Sequence, residues 1–199
     1  KVITNNVKNN PIIHVLGPML INVQSRNQKY LLQDQKYIAI FDISPTRKIR
    51  TCLQGYYSTI NTLFMKQFLL YISDLSEKYN IQILHKPKRD LNKLHKGKNL
   101  LTENKSYTGF LNEINERRYF KSISSSTDLK YLVSNSLATI SFPYTSVALI
   151  SKELEKETIF YDPSLKLIEN KSFSHDLKLI SGKKELDIWF SKLVNDNIL

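Results

Sequence analysis

Leu137-Ala-Thr-Ile-Ser-Phe-Pro-Tyr-Thr-Ser-Val-Ala-Leu-Ile-Ser-Lys-Glu-Leu154 joins two kinds of periodicity through one turn. Leu137 to Ser141 is a short apolar run of the kind a buried strand requires. Val147, Ile150 and Leu154 then recur at helical spacing. Between them lies a Pro- and hydroxyl-rich turn, which puts Thr145 and Ser146 at the start of a helix just past the end of a strand. Free backbone N–H groups and the positive end of the helix dipole converge at such a corner, so it suits a phosphate. Ser and Thr are also common helix caps, and the local pattern leaves both readings open.

The same alternation extends in both directions. Pro11 to Leu16 is an apolar run ending at Gly17-Pro18, and Tyr37 to Phe41 is another ending at Asp42. Ile60, Leu63, Phe64, Phe68, Tyr71, Ile72 and Leu75 follow helical spacing and predict a helix over 58–79, stopped by Asn80. Ile81 to Leu84 is the next strand. Residues 90–109 are polar and rich in Lys and Asn, and read as a loop with weak helix. A helix over 108–117, a strand over 119–123 and a helix capped by Asp128 and running to Val133 follow. After the quoted stretch, whose helix is expected over 144–155, come strands over 158–161 and 177–180 and a closing helix over 185–194.

Alternating strands and helices predict an α/β, Rossmann-like parallel sheet with helices on both faces. Ligands of such sheets lie at the carboxyl ends of the strands. Gly17, Asp42, His85 to Arg89, Ser141 to Ser146 and Tyr161 to Pro163 all fall at those ends. No internal repeat or Pro/Gly/Ser linker divides the 199 residues, so a single domain over 1–199 is expected, with 1–10 and 22–35 polar enough to be flexible. The chain begins at Lys1 and shows no signal-peptide pattern, as expected of a piece of a larger protein.

Composition narrows the function classes. Hydrophobic residues make up 41%, enough for a core, but no apolar run nears the roughly 20 residues that span a bilayer. Cys52 is the only cysteine, so an intrachain disulfide and a Cys-based metal site are ruled out and a reducing, cytoplasmic setting is expected. His14, His95 and His175 have no metal-ligand spacing. The net charge of +11 is spread among Asn and Ile without a block of five like charges, although Lys86-Pro-Lys-Arg89 and Arg117–Arg118 stand out. Such a field draws anions without naming one. Gly17, Gly55, Gly97, Gly109 and Gly182 are too far apart for a G-x-G, which removes the dinucleotide and P-loop fingerprints. No G-x-S-x-G elbow supports a hydrolase triad.

His85-Lys-Pro-Lys-Arg89 ends a buried strand, and Pro87 stiffens the turn. His85, Lys86, Lys88 and Arg89 are expected to gather donors at the ligand edge, with Arg forking onto phosphate or carboxylate and Lys acting as a point charge. A solvated basic turn is the plainer alternative. Asp42 is either a carboxylate base or sugar-hydroxyl ligand, or a turn former before Ser-Pro; Asp162, in Tyr161-Asp-Pro163, is a ribose or sugar contact or again a turn former.

Ser141-Phe-Pro-Tyr-Thr-Ser146 followed by Ile159-Phe-Tyr-Asp-Pro163 resembles the signature of bacterial polysaccharide-biosynthesis proteins named for a Pro-Phe-Thr-Ser motif, with Tyr144 in place of Phe. Val15-Leu-Gly-Pro18, Phe41-Asp-Ile-Ser-Pro45, the His85 to Arg89 strand end and Glu185-Leu-Asp-Ile-Trp189 fit in order over residues 11–190. The family is similar to GT-B glycosyltransferases, whose C-terminal Rossmann-like lobe holds the nucleotide-sugar donor, and to bacterial sialyl- and Kdo-transferases that use CMP-activated acidic sugars. That resemblance implies a donor site in which His85 with Lys86 and Lys88, and Thr145 with Ser146, surround the nucleotide. Joined with the strand-end residues, the expected donor site is Gly17, His85, Lys86, Lys88, Arg89, Ser141, Pro143, Tyr144, Thr145, Ser146 and Asp162, with Asp42 and His85 as the expected catalytic groups. In those transferases a His-Pro element and a Ser/Thr pair surround the CMP, whereas here Lys86 separates His85 from Pro87. It further implies no metal or cofactor, a glycan or lipid-linked glycan acceptor, no nucleic acid, and a place in the cytoplasm or at the inner face of the membrane. The acceptor lobe would lie outside this piece. A non-catalytic basic domain binding nucleic acid or phosphorylated glycan is the competing reading, although the aromatics sit mostly at core spacing rather than interleaved with a basic groove.

Overall fold

The computed structural model describes residues 36–43, 62–89, 102–167 and 174–198. Six strands, β1 (Tyr37–Phe41), β2 (Gln82–Lys86), β3 (Phe120–Ser122), β4 (Ala138–Ser141), β5 (Glu157–Asp162) and β6 (Lys178–Ser181), form one sheet in the order β3-β2-β1-β4-β5-β6. Every pairing is parallel. Five helices accompany them: α1 (Thr62–Tyr79), α2 (Thr102–Asn115), α3 (Leu129–Ser134), α4 (Ser146–Glu153) and α5 (Gly182–Ile198). The chain builds outward from β1 to β3, then crosses back to β4 on the other side of β1. The strand order therefore reverses between β1 and β4, which makes that gap the topological switch point.

Strand residues alternate between the two faces. Ile38 and Ile40 of β1 join a core with Met65, Phe68, Leu69, Ile72 and Leu75 of α1, Tyr107 and Ile114 of α2, and Leu186, Trp189 and Phe190 of α5. Tyr37, Ala39 and Phe41 face the other way, onto Leu132 and Val133 of α3, with Val147 and Leu154 packed alongside. Ala148 of α4 packs on Phe160 of β5 on that second face. Both faces of the sheet are thus covered, and strands buried on both sides read as the continuous apolar runs seen in the sequence. The α/β, Rossmann-like fold is the one the alternation implies.

Three helices start at other residues than the sequence implies, for identifiable reasons. α2 begins at Thr102 rather than 108, because Tyr107 belongs to the same apolar stripe as Phe110, Leu111 and Ile114 and nothing before it breaks the helix. α4 begins at Ser146 rather than 144, because Tyr144 takes φ 60 and turns the chain first. α5 begins at Gly182, where the Glu185 carboxylate reaches back to accept the Ser181 N–H at 2.9 Å. Asp128 does cap α3, accepting the Tyr131 N–H at 2.6 Å. The expected strand over 11–16, the polar stretches 1–10 and 22–35, and Gly17 lie outside the described residues.

Candidate functional site at the carboxyl edge of the sheet

Phe41, the last residue of β1, pairs with Lys86 on one side and Ser141 on the other. The turn after β2 and the turn after β4 therefore leave the same edge of the sheet, one strand apart on either side of β1. With neighbouring strands about 4.8 Å apart, the two turns start roughly 10 Å from each other.

In the 141–146 turn, Phe142 is the anchor. Its amide donates to the Phe41 carbonyl at 3.1 Å, and its ring lies 5.9 Å from that of Phe68 on α1. Pro143 is buried behind it. Tyr144 holds φ 60, a region that bulky side chains seldom enter, while its ring packs on Phe160 at 5.5 Å. Thr145 occupies the position before α4 but does not cap it with its side chain; its hydroxyl donates backward to the Phe142 carbonyl at 3.0 Å. Ser146 opens the helix and is exposed. Beneath the turn, the Ser141 hydroxyl is buried without a hydrogen-bond partner among the described residues. A buried hydroxyl in that state carries a desolvation cost that a ligand oxygen would relieve.

The basic turn does not gather its four side chains as expected. Strand alternation sends His85 to the α1–α2 face and Lys86 to the opposite one. Lys86 Nζ donates to the Ser125 carbonyl at 2.6 Å, and burial pushes its ammonium below the ordinary lysine range against the pull of Asp42 and Asp128. Lys88 and Arg89 are the exposed cations of the turn. The Lys88 amide is itself fixed, donating to Asp42 Oδ1 at 2.8 Å.

Asp42 and His85 are both buried and adjacent, with His85 Nε2 3.2 Å from Asp42 Oδ2. The contact is a close approach within ion-pair distance rather than a well-aimed hydrogen bond. The Tyr107 hydroxyl of α2 donates to Asp42 Oδ2 at 3.1 Å, and His85 Nδ1 lies 3.0 Å from Ser122 Oγ at the end of β3. Burial acts to raise the Asp42 carboxyl, but His85, the Lys88 amide and Tyr107 outweigh it and hold the group below the usual carboxylate range. The same burial, with Asp42 opposite, pushes the Tyr107 phenol well up.

With this edge in view, comparison with known proteins becomes informative. The sequence matches the family described as polysaccharide biosynthesis PFTS motif proteins over residues 2–190. The chain belongs to that family. Its motif is the turn just described, Pro143-Tyr-Thr-Ser146. Among solved structures, this PFTS-motif chain is similar to the Methanocaldococcus jannaschii UDP-GlcNAc 2-epimerase crystallised with UDP-GlcNAc and UDP, with a TM-score of 0.53 and 12% identity. The match covers 81% of this chain and 39% of that one, so the chain spans well under half the length of its structural neighbour. That likeness shows a GT-B-like, Rossmann-type fold. Comparison with curated proteins gives no match.

Asp162 of the PFTS-motif chain lies at the same edge but serves its own loop. Its buried carboxylate accepts the Ser164 N–H and hydroxyl on Oδ1 and the Lys166 and Leu167 N–H groups on Oδ2. That is the turn-forming alternative rather than an open sugar ligand. Ser122 and Tyr107 were not foreseen as partners of His85 and Asp42; they meet only through the β2–β3 register and the packing of α2, which no local motif encodes. Among the described residues there is no group of three His, Cys, Asp or Glu placed to hold a metal, and no helix long and apolar enough to cross a membrane.

Proposed function

We propose that this domain holds a nucleotide-sugar donor at the β1–β4 switch point and serves glycosyl transfer in polysaccharide biosynthesis. The observation that carries the reading is the PFTS turn: a helix start without a side-chain cap, beside the buried, unpartnered Ser141 hydroxyl. Such a corner offers backbone N–H groups, a helix dipole and the Ser146 hydroxyl to one phosphate. The exposed Lys88, whose amide is held by Asp42, stands across β1 to meet further negative charge. Developing charge on the departing phosphate would be stabilised by these fixed groups. Asp42 then acts as a positioning residue, since it anchors the Lys88 amide and with it the basic turn.

Family membership supports a role in polysaccharide biosynthesis, and the structural neighbour's complexes with UDP-GlcNAc and UDP support a nucleotide-sugar ligand in general. Within that class we favour a CMP-linked acidic sugar of the sialic acid or Kdo type, because the corner provides one well-built phosphate seat and a monophosphate needs no second. The acceptor is then a glycan or lipid-linked glycan, and the +11 charge favours peripheral contact with the anionic inner face of the membrane.

A thermal-shift panel of CMP, CDP, UDP, GDP and ADP tests this. Ligand at 100-fold over its dissociation constant adds about 2.7 kcal/mol of stability. A shift with CMP is the expected result. A shift with UDP or GDP but not CMP ends the CMP assignment, and silence across the panel ends the donor-site reading.

A further inference from the structure

On the α2 face of the sheet, the ends of β3, β2 and β1 present a hydroxyl, an imidazole and a carboxylate in a row. Ser122 Oγ lies 3.0 Å from His85 Nδ1, and His85 Nε2 lies 3.2 Å from Asp42 Oδ2. Parallel register builds the row: His85 pairs with Ser122 on one side, and with Ile40, two residues before Asp42, on the other. His85 and Asp42 are buried, Ser122 is half-buried, and His85 and Ser122 both line a cavity of about 270 Å³. Arg89, Asn112, Asn115 and Ser124 stand in the walls of that cavity. Asp42 cannot swing away from the imidazole, because the Lys88 amide holds Oδ1 and the Tyr107 hydroxyl holds Oδ2. His85 Nε2 meets Asp42 Oδ2 at ion-pair distance without a well-aimed hydrogen bond. The row therefore approximates the arrangement of hydroxyl, imidazole and carboxylate that activates a serine, which is recognised by geometry rather than by sequence order.

We propose that Ser122, His85 and Asp42 form a nucleophilic relay that takes an acyl group from a small ester bound in this cavity. Ser122 Oγ attacks the ester carbonyl carbon while its proton passes to His85 Nδ1, and Asp42 stabilises the resulting imidazolium. Collapse of the tetrahedral adduct breaks the bond to the alcohol oxygen, which departs with the proton from His85 and leaves acyl-Ser122. Water, giving its proton to His85, then displaces Ser122 Oγ, releasing the carboxylic acid and restoring the hydroxyl. Asn115 accepts the Ser122 N–H through Oδ1 at 2.7 Å, so its amide N–H groups, with Asn112 and Arg89, are the donors for the oxyanion. Relative to the familiar triad, the two ring nitrogens exchange roles, Ser meeting Nδ1 and Asp meeting Nε2. A cavity of this size, with Leu111 and Ile123 beside Arg89, Asn112 and Asn115 in its walls, suits a short acyl ester of a polyhydroxylated alcohol. The reading uses the β2–β3 side of the edge and does not depend on a nucleotide at the β1–β4 gap.

The test is reaction of the full chain with a fluorophosphonate, followed by peptide mass spectrometry, and hydrolysis of p-nitrophenyl acetate. The expected result is phosphonylation at Ser122, loss of both signals in Ser122→Ala, and a fall of about 100-fold or more in the labelling rate of Asp42→Asn. Folded wild-type protein, checked by circular dichroism, that leaves Ser122 unmodified or is labelled only at other serines overturns the proposal, and this measurement requires no variant to fold. Ester hydrolysis that persists in a folded Ser122→Ala overturns it equally.

Discussion

Asp42 Oδ1 accepts the backbone N–H of Lys88 at 2.8 Å, so the carboxylate just after β1 fixes the turn that follows β2. The bond spans two neighbouring strands at the ligand edge and places the exposed Lys88 and Arg89 side chains on a held backbone rather than a free loop. A basic turn that is fixed in advance spends less conformational freedom when it meets an anion. The same carboxylate touches Tyr107 and His85, so one buried charge joins β1, β2 and α2 at this edge.

Thr145→Ala combined with Ser146→Ala separates a ligand role from a capping role. The Thr145 hydroxyl makes no cap, only the bond to the Phe142 carbonyl, so the pair should cost at most about 1.5 kcal/mol of stability. Nucleotide affinity should fall by about 1–3 kcal/mol if these hydroxyls meet phosphate. Isothermal titration with the best nucleotide of the panel measures it, and unchanged affinity removes both hydroxyls from the site.

Asp162→Ala should act through stability. Four donors from residues 164–167 lose their acceptor, and the turn after β5 loses its buried organiser. A loss of about 2–4 kcal/mol in urea unfolding is expected for several bonds to one charged group. Asp162→Asn, which keeps one acceptor oxygen, should lose less and leave nucleotide affinity unchanged. A selective loss of affinity in the Asn variant would return Asp162 to the list of ligand groups.

Much of this edge is legible in the sequence, and the missing part has a definite character. Apolar runs and helical stripes record which residues are buried, so β1, β2, β4 and β5 and their turns emerge from pattern alone, and Asp42, His85 and Ser141 fall at strand ends. Strand alternation also separates His85 from Lys86, one residue apart and on opposite faces. Register between distant strands is not recorded in any local stretch. Ser122 and Tyr107 are 37 and 65 residues from His85 and Asp42 respectively, and only assembly of the sheet and of α2 brings them together. The left-handed Tyr144 is equally hidden, because nothing in Pro-Tyr-Thr favours φ 60 over an ordinary turn.

Gly182→Ala should destabilise the start of α5. Gly182 holds φ +72, and an added Cβ would sit 2.6 Å from Leu165 Cδ2. The left-handed conformation costs an L-residue about 1–2 kcal/mol, while Leu165 is 70% exposed and free to move its side chain aside. Combining Gly182→Ala with Leu165→Ala should therefore recover little of the loss. A full recovery in the double variant would place the cost in the Leu165 contact instead of the backbone.

Asp42→Asn should flatten the acid limb of the stability curve. The folded carboxyl is held below its unfolded value of about 3.9, so the folded state binds fewer protons there than the unfolded state does as the pH falls toward that range. Its contribution is fully present above the unfolded value and is lost as pH falls through the folded one. Across that window stability changes by up to about 1.4 kcal/mol per pH unit for one such group. Asp74, held down by Arg117 and Lys183 in spite of partial burial, adds to the same limb, so the wild-type slope alone does not isolate Asp42. The difference between wild type and Asp42→Asn does. Urea unfolding from pH 7 to pH 3 should show the variant less stable at neutral pH, by about 1.5–3 kcal/mol for bonds to a charged group, with the gap closing as the solution is acidified. A gap that stays constant over that range would mean that Asp42 keeps its ordinary carboxylate behaviour in the folded protein.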